Sequence, residues 1–435
     1  MPIQTQKISV YSLVIGMFIY KLDRPWADTN YPLEGFYITS ADEIRKLKLV
    51  CRYAFIDVER SNLQSNKQQR LLALNSTKAL PSQTKKNTTR KPIRLPDQQN
   101  YNNVIPLKRV MKKAIKNHQQ LHHSVNYLFS HISSHNIVNI NQVKEVLSTT
   151  VDTMIDNPDA LMWIARTREN DDYSYNFVLK QTIWALATAR QLGMNKADME
   201  RLALASILSG IGKNKLPLSL LQNEHRLTAK QFSIYQKHIS YTVNILKKMK
   251  NIHPQVIHIV QNHCEYIDGS GYPNKLKANE IYLASQVIGL AAFYEIQSNP
   301  RDLSRAVSPN ETLEKLNANK GKKFNAELVE KFVQAIGIYP TGTLVQLNTG
   351  EIAVIVESKD PGLKQQRLRP NIIILRNTMD EKNAQQKLIK LSAENNKLQI
   401  LQSLPMGAHD IHINEINKAV YRYNHVWELK RVMGF

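Results

Sequence analysis

Cysteine is almost absent: Cys51 and Cys264 are the two among 435 residues. They fall in different predicted domains, so no disulfide framework is expected, as suits a reducing compartment. There is also no run of about eighteen apolar residues that would cross a bilayer. The opening Met1-Pro2-Ile3-Gln4-Thr5-Gln6-Lys7 lacks the apolar stretch of a secretory signal. The chain is therefore read as cytoplasmic, with no membrane span. Acidic residues are scarce, 36 against 58 Lys and Arg, which leaves a formal net charge of +22. Such an excess attracts anions, among them nucleic acid, nucleotides and acidic proteins. Residues 61–100 hold eight basic residues against Asp97 alone, in a setting rich in Gln, Asn, Ser and Thr. That composition describes a solvated tether, and residues 61–103 are read as a basic flexible linker. No aromatic or groove-entering element interleaves with these charges, so specific nucleic-acid binding is not expected.

What is present divides the chain into modules, since its length calls for two or three domains. Residues 1–60 read as a small α+β unit with strands near Lys7–Val10, Met17–Leu22, Phe36–Thr39 and Tyr53–Val58. Ser40-Ala41-Asp42-Glu43 is a capping box that starts a short helix through Ile44 and Leu47. From 104 to 338 the apolar residues recur at three- and four-residue spacing, which predicts an all-α domain. Its clearest helices are Asn141–Met154, Phe177–Leu192, Lys196–Ile211, Ala229–Lys248, Pro254–Cys264, Ile281–Ile296 and Ala326–Ala335. Residues 339–435 begin as a β appendage, with strands at Thr343–Asn348, Glu351–Glu357 and Ile372–Leu375, and end in a mixed basic tail through Trp427 and Arg431. His118 with His122 and His131 with His135 sit at metal-chelating spacing but have no acidic third ligand nearby, so they are read as solvated histidines.

One stretch concentrates the chemistry. Asn262-His263-Cys264-Glu265-Tyr266-Ile267-Asp268-Gly269-Ser270-Gly271-Tyr272-Pro273 runs from a helix end into a glycine-rich turn. Helix ends hold side chains at fixed angles, and glycines admit close backbone approach. Around it stand Tyr173-Ser174-Tyr175, Ile207-Leu208-Ser209-Gly210-Ile211-Gly212-Lys213, a helix carrying His238, and Ala291-Ala292-Phe293-Tyr294-Glu295. This succession resembles the HD-GYP family, helical metal-dependent phosphodiesterases that hydrolyse cyclic di-GMP in bacteria. Leu13-Val14-Ile15-Gly16-Met17, Asp23-Arg24-Pro25-Trp26 and Gly35-Phe36 resemble the small domain of unknown function that often precedes it. The resemblance implies a helical HD-type phosphohydrolase-like domain with a regulatory module before it.

The departures from that pattern shape the functional expectation. In active members, His and Asp side chains hold metal ions that activate water. By the resemblance, four ligand positions fall on Phe177, Ser209, Gly210 and Ala292, which have lost their donors. His238 and His263 remain, and Cys264 stands where a second histidine belongs. Adjacent helical residues project about 100° apart, so His263 and Cys264 are expected to share no ion. The two histidines are read as buried remnants bonded to each other or to Glu265. No cofactor is expected, the alternative being Fe or Mn in a rearranged site. Lys213, Asp268, Gly269, Gly271, Tyr272, Pro273 and Arg301 match positions that recognise the nucleotide, whereas Gln286 replaces an arginine. The expectation is a catalytically degenerate protein of cyclic di-GMP signalling that acts through protein partners or as a weak nucleotide receptor. An active phosphodiesterase is the alternative.

Overall fold

A computed structural model describes residues 5–23, 36–38, 40–57, 61, 93, 95–133, 140–167, 173–222, 226–302, 305–357, 370–377, 388–391 and 398–424. Arg24, Pro25, Trp26, Gly35, most of the basic linker, His135 and the tail through Trp427 lie outside these residues. The chain forms two compact units, residues 1–93 and 94–435.

In the first unit, β1 (Thr5–Ser9), β2 (Phe18–Leu22), β3 (Phe36–Tyr37) and β4 (Tyr53–Asp57) form an antiparallel sheet in the order β1-β4-β2-β3. Alternation puts Ile8, Ile19, Ala54 and Ile56 on one face, where α1 (Ala41–Val50) covers them with Leu47. The capping box is formed: Ser40 Oγ accepts from Glu43 N and Glu43 Oε2 accepts from Ser40 N, each at 3.3 Å.

The second unit is helical. It runs α2 (Leu107–Ser133), α3 (Ile140–Asp156), α4 (Pro158–Thr167), α5 (Tyr173–Leu192), α6 (Lys196–Leu208), a 3-10 turn (Ile211–Lys215), α7 (Leu218–Gln222), α8 (Ala229–Tyr235), α9 (His238–Lys248), α10 (Pro254–Asn262), α11 (Leu283–Ser298), α12 (Pro309–Ala318) and α13 (Ala326–Ile336). α5 is the spine, packed on α6, α11 and α13, and thirteen of its residues are buried. The periodicity located α3, α5, α6, α10, α11 and α13 but overlooked the 27-residue α2. The single helix expected over Ala229–Lys248 breaks after Tyr235 into α8 and α9. His118 is 3% exposed, so the solvated reading fails there, because α2 lies against α3 and faces His118 inward.

A five-stranded antiparallel sheet follows, in the order β8-β7-β6-β5-β9: β5 (Leu344–Leu347), β6 (Ile352–Glu357), β7 (Asn371–Arg376), β8 (Leu388–Lys390) and β9 (Ile400–Leu404). The sequence indicated three strands and missed β8, which has three residues, and β9. α14 (Ile413–Asn424) returns to pack on α4 and β7. Residues 97–101 are tied to the helical unit: Gln99 N donates to Gly193 O at 2.7 Å and Tyr101 Oη to Met194 O at 2.7 Å. No described helix is long and apolar enough to cross a membrane.

Candidate metal and nucleotide site

The site is assembled where α9, α10 and the 3-10 turn after α6 converge. Gly212 permits this approach, since a Cβ there would sit 2.0 Å from His238 O. Gly212 N donates instead to Thr242 Oγ1 at 2.9 Å, which locks the turn, and with it Lys213, against α9. Gly271 is required for the same reason: a Cβ would lie 2.3 Å from Tyr266 N and 2.4 Å from Glu265 Cα. The loop is then held from inside, because the Glu265 carboxylate accepts from Asn274 N at 2.6 Å and Leu276 N at 3.1 Å. Burial raises the Glu265 pKa, outweighing those amides.

His238, His263 and Cys264 place their donor atoms all within 4.8 Å of one another. Nδ1 of His238 is 2.7 Å from Tyr235 O, and Nδ1 of His263 is 2.7 Å from Val260 O. A carbonyl can only accept, so each Nδ1 carries a proton, and Nε2 is the nitrogen that offers a lone pair when the ring is neutral. Burial alone would push the Cys264 thiol up, but His263 and His238 beside it hold it well below the usual thiol range. Burial lowers and the Cys264 thiolate raises the His263 pKa, with a net rise. Tyr272 closes the cluster, its ring 6.1 Å from that of His238. Burial, then the neighbouring thiolate, keeps its phenol protonated well above the usual range.

Two expectations are thereby corrected. The histidines are bonded neither to each other nor to Glu265, because backbone carbonyls one turn earlier take their Nδ1 atoms. His263 and Cys264 do converge, because α10 stops at Asn262 and the 100° helical spacing no longer applies beyond it. Two Nε2 lone pairs and a thiolate, oriented by carbonyl contacts, are the donor set of a borderline-soft divalent ion.

The positions without donors are filled. Phe177 is buried, with Lys213 Nζ 4.9 Å from its ring centre. Ser209 Oγ donates to Ser206 O at 2.7 Å and accepts from Gln181 Nε2 at 3.1 Å. A Cβ on Gly210 would lie 2.6 Å from Val178 Cγ1. Ala292 is half-buried on α11.

The comparisons follow this geometry. Residues 155–328 match the HD domain, and residues 5–143 match a domain of unknown function, DUF3391. The chain thus carries an HD domain over residues 155–328. Its HD region is similar to a cyclic di-GMP phosphodiesterase of Pseudomonas aeruginosa, 27% identical over 217 residues, which are 50% of this chain and 52% of that one. It is also similar to 3'3'-cGAMP-specific phosphodiesterase 2 of Vibrio cholerae, 28% identical over 197 residues, 45% of this chain and 37% of that one. The chain thus spans about half or less of the length of these relatives. A solved HDG"Y"P protein from Bdellovibrio bacteriovorus aligns with a TM-score of 0.45 at 16% identity, over 76% of this chain and 99% of that one. The expectation of no cofactor is overturned: the chain has an HD domain, whose phosphodiesterases depend on metal, and three donors converge inside it.

Within the HD domain the nucleotide-recognition residues separate. Lys213 and Tyr272 flank the donor cluster. Asp268 is exposed and closes its own turn, accepting from Ser270 N at 2.9 Å and Ser270 Oγ at 2.6 Å, which lowers its pKa. Gly269, at φ +80°, serves that turn, and Pro273 is exposed beyond it. Arg301 meets a different ring, with Cζ 4.5 Å from the Tyr173 ring centre, while Lys213 Nζ meets Phe177, whose ring centre is 6.1 Å from that of Tyr173. Sequence reasoning missed Tyr235, whose carbonyl orients His238 and whose ring lies 5.5 Å from Lys213 Nζ. Its position three residues before His238 was the available signal.

Proposed function

We propose that this chain binds a cyclic dinucleotide such as cyclic di-GMP without hydrolysing it, and acts in bacterial signalling as a receptor that presents its state to a protein partner. The observation that carries this reading is the set of four positions, Phe177, Ser209, Gly210 and Ala292, that offer no ligand for a second ion. Two-metal hydrolysis needs both the attacking and the leaving oxygen held, and one ion cannot clamp both. His238, His263 and Cys264 would hold a single zinc-like ion, which supplies a positive charge for a phosphate. Lys213 adds a second cation 4.9 Å from the Phe177 ring, and Tyr272 limits water access to the cluster. Few charged contacts, at about 1.5–3 kcal/mol each, set against the cost of association, point to micromolar affinity.

The test is calorimetric titration of zinc-loaded protein with cyclic di-GMP, followed by chromatography of the mixture. Saturable binding, weakened about tenfold by Lys213→Ala, with no linear dinucleotide formed, is the expected result. The second reading, a residual single-ion phosphodiesterase, is favoured by the three-donor cluster, since a catalytic zinc takes three protein ligands and leaves its fourth position to water. Linear product that scales with protein and disappears in Cys264→Ser would establish it in place of the first.

A further inference from the structure

We propose a second ligand site in the helical unit, separate from the donor cluster, that takes a nucleoside polyphosphate. A cavity of about 1070 Å³ opens between α2, α5, the loop after α11 and the segment entering α14. Lys213, His238, His263, Cys264 and Tyr272 do not line it, and Phe177 forms the wall it presents toward Lys213.

Its lining is basic. Arg166, Lys180, Arg301 and the imidazoles of His122, His123 and His412 face it. Among the described lining residues the single carboxylate is Glu295, 1% exposed and occupied by Trp184 Nε1 at 2.8 Å. Both guanidiniums are pre-positioned on aromatic rings. Arg166 lies over Trp184 at 5.3 Å and donates through Nη2 to Tyr294 Oη. Arg301 lies over Tyr173 at 4.5 Å and donates through Nη2 to Ser174 Oγ at 3.3 Å. Each still buries an Nε–H that has no acceptor among the described residues. Asn417, 2% exposed, lines the same cavity with an Oδ1 that has no partner among the described residues, while its Nδ2 donates to Thr167 O at 3.1 Å.

Buried donors without acceptors carry a desolvation cost that a bound acceptor would remove. Guanidinium forks held rigidly by rings match phosphate oxygens. The volume far exceeds one phosphate and reaches the upper range of metabolite pockets, about 300–1,000 Å³. The amides of Gln119, Asn176, Asn299 and Asn414 supply the mixed donor and acceptor edges that a base or sugar requires. Residues 406–417 lie outside the HD match, so a ligand here ties α14 to the HD domain.

The experiment is calorimetry of the full chain with GTP and, separately, inorganic triphosphate. Lys180→Gln and His412→Gln are the pocket variants, both at positions with solvent access, and Lys213→Ala is the control. Melting curves establish that each variant is folded. GTP should bind at least about tenfold more tightly than triphosphate, since amide contacts add to the phosphate contacts. Each pocket variant should weaken GTP about fivefold or more, and Lys213→Ala should leave it within about twofold. The site is overturned if GTP gives no binding at low salt, or if Lys213→Ala weakens it as much as Lys180→Gln. Triphosphate binding as tightly as GTP overturns the nucleotide class. Failure of cyclic di-GMP to bind leaves this result intact, because the two ligands are read through different variants.

Discussion

Cys264 Sγ lies 3.4 Å from His263 Nε2, although the two residues are neighbours in the chain. His263 caps α10 with φ and ψ of −71° and −14°, and both residues lie in the turn that follows the helix. Past the helix end, adjacent side chains can point at the same spot, with His238 arriving from α9.

Purified protein should accordingly bind about one zinc per chain, as measured by elemental analysis after dialysis. Cys264→Ser and His238→Ala should each reduce the bound zinc by more than about tenfold. Full retention in both variants would place the ion elsewhere.

Restoring a carboxylate at the HD position should not be tolerated without repacking. Gly210→Asp directs a Cβ to within 2.6 Å of Val178 Cγ1, and such overpacking costs about 1–3 kcal/mol. The Val178→Ala companion should recover much of that loss in chemical denaturation. Equal stability of Gly210→Asp and wild type would show that the space is open.

Limited trypsin digestion should cut first between Lys67 and Lys91, where basic residues abound and apolar ones are sparse. The carboxy-terminal fragment should begin before Asp97, because Gln99 and Tyr101 are hydrogen-bonded to the loop after α5. A first cut beyond Tyr101, at Lys108 or Arg109, would contradict that attachment.

Arg376, with a side chain 5% exposed, is paired with Glu415 of α14, one contact being Nη2 to Oε2 at 3.1 Å. Glu415→Ala leaves a buried charge uncompensated and should cost about 3–5 kcal/mol. The double variant Arg376→Met, Glu415→Leu should recover most of it. Urea denaturation of the three proteins measures both effects.

Glu295 is buried, and burial raises its carboxyl pKa despite Lys180 and Trp184 pulling the other way. A raised folded pKa gives a stability contribution that is full below the unfolded value of about 4.3 and lost as pH rises through the folded value. Glu295→Gln keeps an acceptor for Trp184 and has no proton to lose. Its melting temperature should therefore match wild type near pH 4 and exceed it increasingly toward pH 7. Parallel curves across that range would remove Glu295 as the source.

Periodicity and turn chemistry by themselves marked many of the elements. Three- and four-residue spacing marked the long helices, alternation marked β1, β5 and β6, and Ser40 with Glu43 marked the start of α1. The Asp268–Pro273 signature and its helical context carried the resemblance to the HD-GYP family, and backbone packing around Gly271 admits no side chain there. Short strands such as β8 and the break between α8 and α9 left no periodic trace. The tertiary structure alone decided that His263 and Cys264 share a point, that Lys213 meets the Phe177 ring and Arg301 the Tyr173 ring, and that Arg166, Lys180 and His412 meet in one cavity. Which side chains converge depends on where each helix stops and how it crosses its neighbours, and residues far apart in sequence reveal neither.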